Sequence, residues 1–167
     1  MTFPKNCDIL AKTEKGRIIL REEELLHSIN FGLSTWLSNV QLNNCINFYD
    51  INRISEGFVC VLLNTVYGYE LNDLNEKQKN QCAIDLGDAK KGFSVQVTSR
   101  TDATKIKDTL KKFVENQFEN IYPKGVKFFI ISNSPVKKGR TKWTDFPFFD
   151  FGRDIIYPTD IVAEINK

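Results

Sequence analysis

Asp85, Gln96 and Thr98 are the residues whose types and spacing point most directly to chemistry. Asp85 has a small residue two positions away on each side, so on a strand we expect room beside its carboxylate for an ion or a phosphate. The segment that contains Gln96 and Thr98 alternates strictly between apolar and polar residues, so these two side chains share a face. If the two segments pair as a hairpin, a carboxylate, an amide oxygen and a hydroxyl converge.

Glu56 adds a second carboxylate, from a segment that is otherwise apolar. Hard cations such as Mg²⁺ or Mn²⁺ prefer oxygen ligands, so we predict that Glu56, Asp85 and Gln96 bind such an ion, with Thr98 as a polar support. A cation held in this way polarises a phosphodiester and lowers the pKa of an attacking water. Zinc is disfavoured, because the chain has a single histidine, His27, and widely spaced cysteines without a CxxC pair.

Hydrolysis of a phosphodiester also needs a cation near the developing charge. Lys105 is the preferred candidate for this role, and Arg100 is the alternative. A basic loop that ends beside Trp143 is a candidate to bind the phosphate backbone together with Arg100; its residues are Lys137, Lys138, Arg140 and Lys142. The net charge of only +2 does not itself indicate nucleic-acid binding, and such a loop is equally well explained as a solvated surface.

Each polar residue also has a simpler explanation. A strand Gln or Thr commonly faces solvent, an Asp beside Gly commonly makes a turn, and Glu56 can interact with the amides at the start of its own helix. The order of the whole set, a helical Glu, then a strand Asp, then Gln-x-Thr on the next strand, favours a joint site over these separate explanations.

Hydrophobic periodicity predicts the elements that position these residues. A loose arm over residues 1–16 precedes a long amphipathic helix from Arg17 to Asn39, and Asn43 and Asn44 mark a break. Asp50 caps a second, buried helix over Ile51–Tyr67, which ends at Gly68. The predicted elements that follow are strands Tyr69–Leu74, Cys82–Leu86 and Phe93–Ser99, a helix capped by Thr101 or Asp102 and ending near Phe118, strands Val126–Ser132 and Ile155–Ile156, and a final helix from Pro158.

A strand, helix, strand connection implies a mixed sheet, so the predicted fold class is α/β, as one domain over residues 1–167. The sequence has neither a visible signal peptide nor an apolar run long enough to cross a bilayer. We therefore expect a cytoplasmic protein with reduced thiols and no membrane partner.

Several short motifs resemble a known family, the SMEK domain of bacterial proteins linked to defence against phage and mobile elements. The resemblance extends from about Arg17 to Ser132, and its most specific parts are Ile-Asp-Leu-Gly-Asp around Asp85 and Gln-Val-Thr-Ser from Gln96. The other matching segments are Tyr69–Asn75, Lys105-Ile106 and Thr109-Leu110. This resemblance implies a defence context.

The element order also resembles the restriction-endonuclease-like fold of the PD-(D/E)xK superfamily, with a helix, three strands, a helix and a strand as its core and an extra N-terminal helix here. That resemblance implies catalytic roles for Glu56, Asp85 and Gln96. Thr98 stands where the superfamily has Lys, so Lys105 would have to supply the charge from the following helix.

Three functions are compatible with these patterns. The first is a metal-dependent endonuclease acting on nucleic acid, with DNA preferred, directed by a regulatory partner protein or a fused domain. The second is a catalytically inactive module of the same fold that binds nucleic acid or a protein. The third is an interaction domain in which the helix Arg17–Asn39 mediates self-association. A homodimer is compatible with either of the others, because cutting both strands needs two sites.

Overall fold

The computed structural model describes residues 6–47, 50–75, 83–139 and 143–167. These residues belong to two compact units, residues 1–38 and residues 39–167. The first unit, in its described part, consists of helix α1 residues up to Ser38, and the second carries a mixed α/β fold.

Helix α1 covers Asn6–Cys45, so it begins earlier than the sequence predicted. Residues 6–16, expected to form part of a loose arm, are helical, and this segment is rich in strong helix formers such as Leu10, Ala11 and Glu14. The predicted break at Asn43 and Asn44 is also too early, because the helix continues to Cys45. In the described part of the chain, none of the helices has the length and apolar character needed to cross a bilayer.

Helix α2 covers Asp50–Tyr67, and Gly68 follows it with a φ of 62°, a conformation that glycine adopts without strain. These bounds confirm the prediction. The prediction that this helix is buried on all sides was wrong, however. Its buried residues Ser55, Val59 and Leu63 lie four positions apart on one face, and the opposite face exposes apolar side chains, namely Ile54, Phe58 and Val61.

The second unit contains a five-stranded sheet in the order β1-β2-β3-β4-β5. Its strands are β1 Asn72–Asp73, β2 Leu86–Asp88, β3 Phe93–Thr98, β4 Val126–Ile130 and β5 Ile155–Ile156. Strand β2 is antiparallel to both β1 and β3, whereas β4 is parallel to both β3 and β5. The predicted mixed sheet of an α/β fold is therefore confirmed, with β3 at its centre.

Strand β1 is shorter than the predicted strand Tyr69–Leu74, because side chains compete for its backbone groups. Leu71 N donates to Asn64 Oδ1 at 2.8 Å, and Asn64 Nδ2 donates back to the Leu71 carbonyl at 3.0 Å. Asn64 thus ties the chain before β1 to helix α2 instead of to a neighbouring strand. In the next segment, β2 begins at Leu86, so Asp85 lies just before the strand, and Cys82 lies outside the described residues.

Helix α3 (Ala103–Glu115) crosses from β3 to β4 and covers one face of the sheet. Its cap is Asp102, which accepts from Lys105 N at 3.0 Å. The core cluster joins α3 to the sheet and to the last segments of the chain; it includes Ile106, Leu110, Phe113, Val126, Phe128, Ile130, Phe149 and Ile155. Two helices complete the fold, α4 (Phe151–Asp154) and α5 (Pro158–Ile165).

Gly87 of β2 is required by the close approach of the Tyr122 ring. A Cβ added at Gly87 would overlap the Tyr122 hydroxyl and would lie only 2.7 Å from Cζ. We expect Gly87→Ala to lower the free energy of unfolding by about 1–3 kcal/mol, because the ring is packed in the core and has to shift. Denaturant unfolding followed by circular dichroism measures this loss.

Gly57→Ala is the matched control, because nothing lies within 4 Å of its added Cβ on helix α2. It should leave stability unchanged or raise it by up to about 1 kcal/mol. Equal stabilities for the Gly87→Ala variant and the unmodified chain would contradict the close approach.

Candidate active site

Asp85 and Gln96 face each other across the β2–β3 hairpin, as the sequence predicted. The register pairs Leu86 with Val95, and Asp85, just before β2, donates from its backbone N to the Val95 carbonyl at 3.1 Å. The Gln96 side-chain amide donates to Asp85 Oδ2, and Val97 N donates to the same oxygen at 2.8 Å. Asp85 is only 9 % exposed, so these donors replace the water that its carboxylate loses on folding.

Glu56 reaches the same place from helix α2 through Asn75. The Asn75 side-chain nitrogen lies 3.0 Å from Glu56 Oε2 and 3.5 Å from Asp85 Oδ1. Both carboxylates therefore lie within hydrogen-bonding distance of one amide group. The predicted meeting of Glu56, Asp85 and Gln96 is present in the structure.

Asn75 is a site residue that the sequence reasoning missed. Its backbone N donates to Asp73 Oδ1 at 2.8 Å, and the neighbouring Leu74 N donates to the Asp85 carbonyl at 2.9 Å. The Asp-x-Asn spacing of residues 73–75 is typical of a turn in which an Asp side chain caps the backbone two residues later. This spacing predicts the turn itself, but it does not predict that Asn75 lies beside Glu56 and Asp85.

Both carboxyl groups hold their protons more tightly than usual. Burial, followed by the charge of Asp85, raises the pKa of Glu56 to about 7. Burial raises the pKa of Asp85 to about 6, although the Val97 amide, Lys105 and Asn75 oppose this increase. Asp73 raises both pKa values further. The site therefore concentrates negative charge at neutral pH, an arrangement that a bound cation would relieve.

Lys105 is a cation that the structure brings toward Asp85, whereas Arg53 is the cation that interacts with Glu56. It lies in the first turn of α3, on the helix that covers the Asp85 face of the sheet. Burial lowers the pKa of its ammonium, and the negative charge of Asp85 opposes that decrease.

Thr98 and Arg100 occupy other roles in the fold. Thr98 is half-buried, and its hydroxyl accepts from Arg100 N at 3.2 Å, which stabilises the turn after β3. Arg100 forms a two-point ion pair with Asp102, at 2.8 Å and 2.9 Å. Among the described hydrogen bonds, none joins either residue to Asp85 or Glu56.

Part of the basic loop lies next to the start of α3. Lys137 N donates to the Thr101 carbonyl at 3.0 Å, and the backbone of Lys137 forms an isolated parallel β-bridge with that of Asp102. Lys138 lies over the Phe151 ring, with its Nζ 5.1 Å from the ring centroid. Arg140 and Lys142 lie outside the described residues. The backbone of Lys137 therefore lies next to the segment that joins Arg100 to the start of α3.

The small residues beside Asp85 do not leave the open space that we expected. Tyr122 fills the space at Gly87, and Ala83 is packed in the core cluster.

The atoms that could bind a metal at this site are oxygens, which Mg²⁺ and Mn²⁺ prefer as ligands. They belong to the two carboxylates and, after rotation of the side chains, to the amides of Asn75 and Gln96. In the described ranges, no cluster of three or more His, Cys, Asp or Glu residues is close enough to hold a metal ion. The residues present fit a hard cation bound by two carboxylates, amide oxygens and water, and they do not fit a zinc cage.

The raised pKa values predict that the stability of the metal-free protein depends on pH. The unfolded chain ionises these carboxyl groups near their ordinary pKa values of 4.5 and 3.8, whereas in the folded chain the pKa values are about 7 and about 6. The free energy of unfolding should therefore fall as the pH rises from about 4 to about 8. Asp85→Asn removes one of these groups and eases ionisation of Glu56, so its melting temperature at pH 8 should rise by about 2–4 °C.

Thermal unfolding in chelator, between pH 4 and pH 8, measures this effect. Glu115→Gln on the exposed side of α3 is the control, and it should follow the unmodified protein. If the melting temperature of the Asp85→Asn variant fell with pH as steeply as that of the unmodified protein, the charge of Asp85 would not be what destabilises the folded chain at high pH.

Comparison with known proteins identifies a family for this chain. The SMEK domain family matches residues 28–166, which include every candidate site residue from Glu56 to Lys142. The comparisons with curated proteins and with solved structures found no match. Because the matched region covers most of the sequence, the chain belongs to the SMEK domain family.

Proposed function

We propose that this chain is a metal-dependent endonuclease domain that hydrolyses phosphodiester bonds of nucleic acid, with DNA as the preferred substrate. The observation that carries the proposal is the sharing of the Asn75 amide by Glu56 and Asp85, with Gln96 on the other oxygen of Asp85. Two carboxylates held this close, both with raised pKa values, form a site suited to a divalent cation.

In this proposal Glu56, Asp85 and Gln96 hold Mg²⁺ or Mn²⁺. The bound cation would polarise the phosphodiester and lower the pKa of a water molecule. Val97 N fixes Asp85 Oδ2 through its 2.8 Å hydrogen bond, so the carboxylate is oriented by the backbone of β3. The Asp73 carboxylate fixes Asn75, which in turn orients Glu56.

Lys105 would bind a non-bridging phosphate oxygen and stabilise the charge that develops there. Its half-buried position supports this role, because a poorly solvated ammonium interacts more strongly with an anion. Lys137, Lys138 and Arg100 would contact the phosphates on either side without recognising the base sequence. Arg140 and Lys142 belong to the same basic loop in the sequence.

A restriction-endonuclease-like core is part of the proposal. It is supported by the order α2, three strands, α3 and β4, and by the positions of Glu56, Asp85 and Gln96 within that order. The resemblance of the sequence motifs to defence proteins further supports action as a cytoplasmic defence effector, working as a homodimer or under a partner protein or fused domain.

A nucleic-acid-binding module without activity is the second candidate. Position 98 favours it. The PD-(D/E)xK superfamily has a catalytic lysine there, on the same strand as Gln96, whereas this chain has Thr98, whose hydroxyl only stabilises the following turn.

Plasmid nicking in Mg²⁺ or Mn²⁺ separates the two candidates. We expect cutting by the unmodified protein and at least about a hundredfold slower cutting by Asp85→Asn, because the variant loses a charged ligand. Divalent cations should also raise the melting temperature of the unmodified protein and leave that of Asp85→Asn unchanged. Plasmid retardation without cutting by either protein would favour the inactive module.

Lys105→Gln tests the source of the positive charge. This variant should keep the cation-induced rise in melting temperature but cut about a hundredfold more slowly, because it removes only the phosphate contact. Lys111→Gln, on an exposed position of the same helix, is the matched control and should cut at the normal rate. Normal cutting by Lys105→Gln would assign the charge to another residue.

A further inference from the structure

Two cavities share Lys127 and Arg153, and neither is lined by Glu56, Asp85 or Gln96. The first has a volume of about 430 Å³ and is lined by Tyr67, Tyr69, Phe151 and Tyr157, among others. The second, of about 340 Å³, includes Lys124. Lys127 and Arg153 line both cavities, so the two spaces meet at these cations.

Lys127, which lines both cavities, lies on the opposite face of the sheet from Gln96. The β3–β4 register pairs Val95 with Lys127 and Gln96 with Phe128. Because successive strand residues point to opposite faces, Lys127 and Gln96 lie on different sides. A ligand in these cavities would therefore not contact Asp85 or Gln96.

Aromatic rings form the wall of the first cavity. Tyr67 and Tyr69 are stacked, with centroids 5.3 Å apart and planes 18° apart, and Tyr69 packs edge-on against Phe93 at 4.8 Å. Phe151 is held by a T-shaped contact with Trp143 at 4.6 Å. These contacts fix the rings before a ligand arrives, so little conformational entropy is lost on binding.

A positive charge remains where the cavities meet. Asp154, which is 3 % exposed, accepts from Lys127 Nζ at 3.1 Å and from Arg153 at 3.0 Å and 2.7 Å. One buried carboxylate thus faces two cations. Arg153 also donates from Nη2 to the Phe148 carbonyl at 2.6 Å. Its Nη1 has no partner in the described part of the chain, and its side chain is 61 % exposed, so it can donate to an anion.

We propose that these joined cavities bind a nucleotide, with its base against the tyrosine wall and its phosphate at Lys127 and Arg153. The volume of the first cavity lies in the usual range for small-molecule sites. Aromatic side chains stack on any base, and Nη1 of Arg153, whose Nε and Nη2 already donate to Asp154 and Phe148, can donate to a phosphate oxygen. Asp160, which also lines the cavity, offers an acceptor to ribose hydroxyls or a base amino group. This inference does not depend on the nuclease proposal.

Titration of the full chain with the fluorescent nucleotide mant-ATP tests this site. We expect saturable binding that is about tenfold weaker in Tyr67→Leu, which removes a ring, and in Lys124→Gln, which removes an exposed cation from the second cavity. Arg153→Gln should weaken binding further, and its melting curve checks that the loss of one Asp154 partner leaves the chain folded.

Two matched controls share the helices but not the cavities. Phe58→Leu alters an exposed ring of the same helix as Tyr67, and Lys111→Gln alters an exposed cation of α3. Both should bind mant-ATP like the unmodified chain. Absence of saturable binding, or equal affinities in the cavity variants and the controls, would overturn the proposal.

Competition experiments show whether the site binds a free nucleotide, one part of it, or single-stranded nucleic acid. Unlabelled ATP should displace mant-ATP, whereas adenosine or inorganic phosphate alone should compete at least about tenfold less well, because each makes half of the contacts. Displacement by oligo(dT) at lower concentration than by ATP would support the same site as a subsite for single-stranded nucleic acid. Asp85→Asn should retain mant-ATP binding even where it slows nicking, so the two proposals fail independently.

Discussion

The burial of the Asp85 carboxylate is the constraint on which the candidate site depends. The hairpin between β2 and β3 brings Val97 N and the Gln96 amide to Oδ2, and this pairing holds a nearly buried charge in one orientation. The hydrogen bonds do not fully compensate for the lost hydration, since the pKa remains raised to about 6. The fold therefore maintains an unfavourable charge at a fixed position, an arrangement typical of functional sites.

The second carboxylate depends on contacts that are not local to it. Asn64 holds the chain before β1 against α2, and the Asp73 turn then directs Asn75 toward Glu56. The helix and the hairpin are thus connected through side chains of asparagine and aspartate. Loss of either connection would leave Glu56 on the helix surface, because only one face of α2 is buried.

The sequence was sufficient for features that depend on neighbouring residues along the chain. The bounds of α2, the alternation in β3 and the pairing of Asp85 with Gln96 follow from periodicity and from a short hairpin connection. Asn75 could not be assigned in this way, because its role depends on the packing of α2 against the edge of the sheet. The filling of the Gly87 space by Tyr122 is likewise a tertiary contact between residues far apart in the sequence.

The turn after β3 explains why a helix is the better source of the proposed catalytic cation. The Thr98 hydroxyl stabilises that turn, and Arg100 is neutralised by Asp102. Asp102 also accepts from Lys105 N and so begins α3. These contacts leave Lys105, on the helix that covers the Asp85 face, as the positive charge that interacts with Asp85. In the PD-(D/E)xK superfamily the lysine that would stand at position 98 lies on the strand. In this chain Lys105, in the first turn of α3, would supply the positive charge near Asp85 instead.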